Sequence, residues 1–149
     1  MTRATITSTA HYVPEKILTN YDIEKLVDTS DEWIQSRTGI KQRHIVSEDE
    51  ASSDLSTHVA KDLLAKRGIE PSQVDVIIVG TVTPDHLTPS TAAIVQNNIN
   101  AQNAWGFDLS AACSGFLYGL ETGSKLIESG AYKTVMVIGV DTMTSVLDF

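Results

Sequence analysis

Apolar residues along this chain fall into two textures. Continuous β-branched runs occupy residues 74–79, in VDVIIVG, and residues 134–141, in TVMVIGVD, and runs of this length predict buried parallel strands. AWGFDLS, around Phe107, predicts a third strand with a weaker pattern, and ATITS near the start predicts a fourth. Between the strands the spacing turns helical. Leu55, Val59 and Leu63, with Ala60 and Leu64 alongside, form a stripe that Ser52 or Ser53 can cap and Gly68 can close, with Lys66 and Arg67 placed to suit the helix dipole. PSTAAIVQNNI, from Pro89, predicts a second helix, and residues 114–130 a third, with Phe116, Leu117, Leu120 and Ile127 on one side. NYDIEKLV and SDEWIQSRTG each predict a short capped helix, the latter starting at Ser30 with Asp31 and Glu32 in its first turn.

Strands alternating with helices of this length predict an α/β fold with a mostly parallel sheet. No linker, low-complexity tract or internal repeat interrupts the pattern. TMTSVLDF trails off a few residues after a buried strand, without a cap, which reads as a stop partway through a fold.

Composition adds exclusions. A net charge of −8 argues against general nucleic-acid binding, which needs clustered Lys and Arg. The N-terminal residues lack the apolar core of a signal peptide, and no apolar run is long enough for a membrane span, so a cytoplasmic protein is expected. The single cysteine, Cys113, cannot form an internal disulfide, and no His/Cys spacing suits zinc, so no metal is expected.

Cys113 lies in DLSAACSGF, where an apolar run gives way to a helical pattern. A cysteine at a helix start has backbone N–H groups and the positive dipole end beside it, which favours the thiolate. Burial among Ala111 and Ala112 would act in the opposite direction, and free cysteine is among the most buried residue types. Gly115 is a poor choice for a first helical turn unless something must come close, and the small collar leaves room for a substrate carbonyl. On local context both a nucleophile and a small buried hydrophobe remain open.

In RTGIKQR, Arg37, Lys41 and Arg43 form the one local cationic window, and no carboxylate lies between Trp33 and Ser47. Trp33 precedes Arg37 by one helical turn, so the two share a face: a nucleotide base can stack on the indole while the guanidinium meets phosphate. The alternative is a Trp33 packed in the core beside solvated charges. His11, His44, His58 and His86 are scattered; His86, in the loop after the second strand, is the one placed to line a pocket.

Three stretches, VDTSDEWIQSRTGIKQRHI (27–45), TVTPDHLTPSTAAIVQ (81–96) and FDLSAACSGFLYGL (107–120), in this order and spacing, closely resemble the N-terminal half of the 3-oxoacyl-acyl-carrier-protein synthase III family. The resemblance implies a thiolase-like fold of two similar α/β halves in five layers, with a homodimer formed through the first half. It implies that Cys113 accepts an acyl group from a short acyl-CoA, and that malonyl-acyl-carrier protein then condenses with loss of carbon dioxide. Thr29, Trp33 and Arg37 match CoA-contacting positions, and acyl-CoA would enter as substrate rather than cofactor. Thr88 matches the position that reaches across the dimer into the partner's acyl pocket, where threonine leaves more room than the bulky aromatic some relatives carry. The Cys113 amide would supply half of an oxyanion hole.

The family's catalytic histidine and asparagine, and the glycine completing that hole, come from its second half. None of the four histidines here matches that role, so the resemblance implies an N-terminal half, residues 1–149, whose last strand lies beyond Phe149 and which cannot condense alone. A related polyketide-starter ketosynthase and a noncatalytic dimerisation module of the same fold are the competing readings. The carrier is typically acidic, and the Arg37 to Arg43 window is the one candidate docking patch in this half.

Overall fold

A computed structural model describes residues 3–147, which form two compact units. The first comprises residues 3–12 and 51–141, the second residues 13–50 and 142–147.

In the second unit, β1 (Lys16–Thr19) pairs antiparallel with β2 (Gln42–Ile45), Lys16 opposite Ile45. This ribbon has no strong alternation, and the sequence reading did not include it. Between its strands lie α1 (Asn20–Ile23) and α2 (Asp31–Thr38). Thr19 caps α1 reciprocally with Asp22; Ser30 caps α2 by accepting from the Trp33 amide at 3.1 Å, and Gly39, at φ 72°, ends it. Both short helices therefore start where the capping residues put them, but the first ends at Ile23, halfway along the predicted NYDIEKLV. Met143–Ser145 form a 3-10 turn, and Asp148 and Phe149, where the trailing end was noted, lie outside the described residues.

The first unit holds α3 (Ser52–Arg67), β3 (Val76–Gly80), α4 (Thr91–Asn98), β4 (Trp105–Leu109), α5 (Gly115–Glu128) and β5 (Val135–Gly139). The strands form a parallel sheet in the order β4-β3-β5, with Val76 level with Trp105 and Val135. All five residues of β3 are buried, as its β-branched run requires of a central strand.

Alternation along the strands sorts the layers. Ile77, Val79, Met136 and Ile138 point to one face and join Ala60, Leu64, Ala92 and Val95 of α3 and α4 in the main core. Ile78, Val135 and Val137 point to the other face and meet α5. The result is a helix–sheet–helix sandwich.

Two expectations need correction. ATITS forms no strand: residues 3–14 have no regular structure and Ile6 is 74% exposed, because alternation alone supplies no ladder partner. Ser52 and Ser53 do not cap α3. The cap is Ala51, whose amide donates to Asp54, while the Ser52 hydroxyl donates to the Thr83 carbonyl at 2.6 Å and the Ser53 amide to Asp85 at 2.9 Å. On α5, the residues that meet the sheet are not the large apolar ones.

The buried residues of α5 are Gly115, Gly119 and Gly123, while Phe116 and Leu117 are exposed and Leu120 and Ile127 half-buried. A Cβ at Gly119 would stand 2.8 Å from a Val137 methyl, and one at Gly123 3.1 Å from a Val135 methyl. The branched strand residues fill the space, so the helix closes on the sheet along its glycine ridge.

Candidate active site

The carboxyl ends of β3, β4 and β5 carry the polar loops of the first unit. Asp108, near the end of β4, accepts from the Thr91 and Ala92 amides at 2.7 and 2.8 Å and so fixes the start of α4. Asp141, just past β5, accepts from the Thr81 hydroxyl at 3.1 Å and the Val82 amide at 2.8 Å, tying down the loop after β3. His86, Leu87 and Thr88 lie further along that loop and are exposed, Leu87 at 97%.

Cys113 sits at the same end of the sheet. The chain leaves β4, passes Ala111, and turns at Ala112 through a left-handed φ of 45°. Alanine is disfavoured there by roughly 1–2 kcal/mol, so the surrounding structure must hold it. Cys113 then occupies a 3-10 turn, Ala112–Ser114, that runs directly into α5, with the Ser114 amide closing on the Ala111 carbonyl at 3.1 Å. Cys113 is an exposed residue. A small buried hydrophobe is therefore not what the structure places here; the cysteine stands just before the positive end of a fourteen-residue helix.

Gly115 does exist for a close approach, but what approaches is protein. A Cβ on Gly80 would come within 2.9 Å of the Gly115 carbonyl carbon and 3.0 Å of the Phe116 nitrogen. The last residue of β3 and the first of α5 are in backbone contact, which seats the cysteine turn on the central strand. In the sequence Gly80 is only the end of a strand and Ala112 only one of the small residues beside Cys113, and neither pattern shows the part it plays in this turn. The glycine closing VIIVG was a signal for the first; nothing local marks the second.

In the second unit, α2 brings Trp33 and Arg37 onto one face. Trp33 is 58% exposed, so it is not a core residue; Ile34, at 5%, is the buried apolar residue of that helix. Thr29, half-buried, precedes the cap. Of the cationic window, Arg37 and Lys41 are exposed, whereas Arg43 donates to Asn20. His44 contacts the Pro14 carbonyl at 2.6 Å and His58 stacks on Tyr12 with ring centroids 4.4 Å apart, so both have local partners.

A shallow groove lined by Lys61, Leu64, Gly68, Asn98 and Asn100 lies at the amino ends of the strands. It contains no nucleophile and lies away from Cys113. Among the described residues no helix is long and apolar enough to cross a membrane.

Comparison with known proteins covers the whole chain. Residues 107–149 match the family described as 3-oxoacyl-[acyl-carrier-protein (ACP)] synthase III. A beta-ketoacyl-[acyl-carrier-protein] synthase III of Chlorobaculum tepidum is 59% identical over 148 residues, 99% of this chain and 45% of that protein. Among solved structures, a 3-oxoacyl-[acyl-carrier-protein] synthase III from Aquifex aeolicus superposes with a TM-score of 0.93 at 44% identity, covering 99% of this chain and 47% of the other. The priming beta-ketosynthase of the R1128 polyketide pathway superposes at 0.92 with 33% identity, covering 96% of this chain and 43% of the other. The fold is thiolase-like, and the chain spans about half the length of the curated relatives it matches.

Proposed function

For a chain that corresponds in sequence and fold to the N-terminal half of the 3-oxoacyl-[acyl-carrier-protein] synthase III family, we propose the role of nucleophile-bearing half of an initiating ketosynthase of fatty acid synthesis. The observation that carries this reading is the exposed Cys113 in a turn leading into α5. Its thiolate attacks the carbonyl carbon of a short acyl-CoA, the Cys113 amide helps hold the tetrahedral oxyanion, and the CoA thiolate leaves. The malonyl-carrier thioester then loses carbon dioxide, its enolate carbon attacks the acyl carbon, and the Cys113 sulfur departs as the thiolate. The products are a 3-oxoacyl carrier protein and free enzyme.

Trp33 and Arg37 offer the CoA nucleotide an indole face and a guanidinium on one helix face, with Thr29 beside them. Thr88 lines the acyl pocket of a dimer partner and admits primers longer or more branched than acetyl. No cofactor takes part; acyl-CoA and malonyl-acyl-carrier protein are substrates, and the setting is cytoplasmic. Residues 1–149 act as one half of the enzyme, and the decarboxylative step needs the family's histidine and asparagine in addition to what this chain carries. A polyketide-priming role is the second reading, supported by the fit to the R1128 enzyme.

The test is the intact mass of the chain after incubation with acetyl-CoA and with isobutyryl-CoA. One acyl increment, absent in Cys113→Ala, is expected. An unmodified wild-type chain would remove the acylation reading for this half, and an increment that survives Cys113→Ala would place the nucleophile elsewhere.

A further inference from the structure

Helix α2 has eight residues, too few to be stable alone, and buries one apolar side chain, Ile34. Apolar packing therefore restrains its orientation weakly. Polar anchors do more: the Asp31 amide donates to Glu24 Oε1, and further anchors at both ends of the helix meet at Asn20, whose side chain is wholly buried. Its Nδ2 donates to Asp31 Oδ1 at 2.7 Å and to the Ile40 carbonyl at 2.8 Å, and its Oδ1 accepts from the Arg43 guanidinium. Asp31 is the first residue of α2; Ile40 follows the Gly39 cap at its end. One carboxamide thus holds both the entry and the exit of the helix and joins them to β2.

The same anchoring fixes rotation about the helix axis. Asp31 Oδ2 accepts from Gln35 Nε2 at 2.7 Å, so Asp31 and Gln35 form the polar inner face. At 100° per residue, Trp33 and Arg37 fall on the opposite side. An amide has two N–H donors and one oxygen, and all three groups are engaged. Aspartate, of the same shape, would turn lone pairs toward Asp31 and the Ile40 carbonyl.

We propose that Asn20 is the positioning residue for the Trp33–Arg37 face of α2, setting the direction in which that face meets a CoA nucleotide. The inference rests on the CoA reading given above for that face.

The test uses Trp105→Phe as background, which leaves Trp33 as the only indole, with two readouts. Fluorescence anisotropy of Trp33 without ligand reports positioning, and quenching by coenzyme A reports binding. Asn20→Asp is expected to lower the anisotropy and weaken CoA binding about tenfold, as loss of a buried donor pair allows. Adding Asp31→Asn should restore part of both, because the donor and acceptor have been exchanged. Asp31→Ala removes one anchor of two and is read alongside, with a smaller change in the same direction, in case Asn20→Asp does not fold. Unchanged anisotropy in both Asn20→Asp and Asp31→Ala overturns the positioning role. Wild-type chain that shows no CoA quenching overturns the CoA reading instead, while the anisotropy still decides whether Asn20 orients the helix.

Discussion

Replacing Gly80 by alanine tests how the cysteine turn is held. The added Cβ would lie 2.9 Å from the Gly115 carbonyl carbon, 3.0 Å from the Phe116 nitrogen and 3.2 Å from the Gly115 oxygen, all backbone atoms. No side-chain rotation relieves such contacts, so β3 and the start of α5 must separate by several tenths of an ångström. β3 is the central strand and wholly buried, which leaves α5 to move. Overpacking of this kind costs about 1–3 kcal/mol. For a chain of this size that corresponds to a fall of roughly 3–10 °C in the thermal midpoint. Displacing the start of α5 also displaces Cys113, two residues earlier, and so changes how its sulfur is presented to a reagent. Urea or thermal denaturation measures the first effect, and the rate of iodoacetamide alkylation at constant pH measures the second. A Gly80→Ala chain with wild-type stability and wild-type alkylation rate would refute the argument that this glycine pair seats the turn.

Other consequences follow from the same geometry. Ala112→Gly removes the left-handed strain at φ 45° and should raise stability by up to about 1 kcal/mol in urea denaturation, whereas Ala112→Val should lower it. Gly119→Val places methyl groups against Val137, already 2.8 Å from a single Cβ, and should destabilise the first unit by at least about 2 kcal/mol in the same assay. The Thr19 hydroxyl, then Lys25 and the Thr19 amide, hold the Asp22 carboxyl down to about 2 from 3.8, so its capping contribution is complete above pH 3.8 and is lost as pH falls through about 2. Hydrogen exchange of α1 amides should show that loss, and Asp22→Asn should remove the pH dependence. Both outer strands, β4 and β5, present sheet edges among the described residues, so light scattering should find self-association of this chain rather than a clean monomer.

The sequence by itself determined the alternation of strands and helices, because β-branched runs and 3.6-residue spacing report burial directly. It also placed the caps at Ser30 and Gly68, where one residue's chemistry decides the local geometry. Three motifs in order carried the resemblance to the 3-oxoacyl-acyl-carrier-protein synthase III family, and Cys113 stood out as the one cysteine, at a strand-to-helix junction. Tertiary structure decided what depends on neighbours distant in sequence. ATITS has strand character but no partner strand, while the β1–β2 ribbon has a partner but no strong pattern. Which face of α5 meets the sheet could not be read from hydrophobicity, which ranks leucine above glycine, whereas the sheet beneath, already filled by Val135, Val137 and Ile78, admits only the glycine ridge. Whether Cys113 and Trp33 were core or surface was likewise open in the sequence, since burial is a property of what packs against a side chain. Asn20 reads as an ordinary polar residue after a strand, and its importance appears only when Asp31, Ile40 and Arg43, up to 23 residues away, converge on one carboxamide.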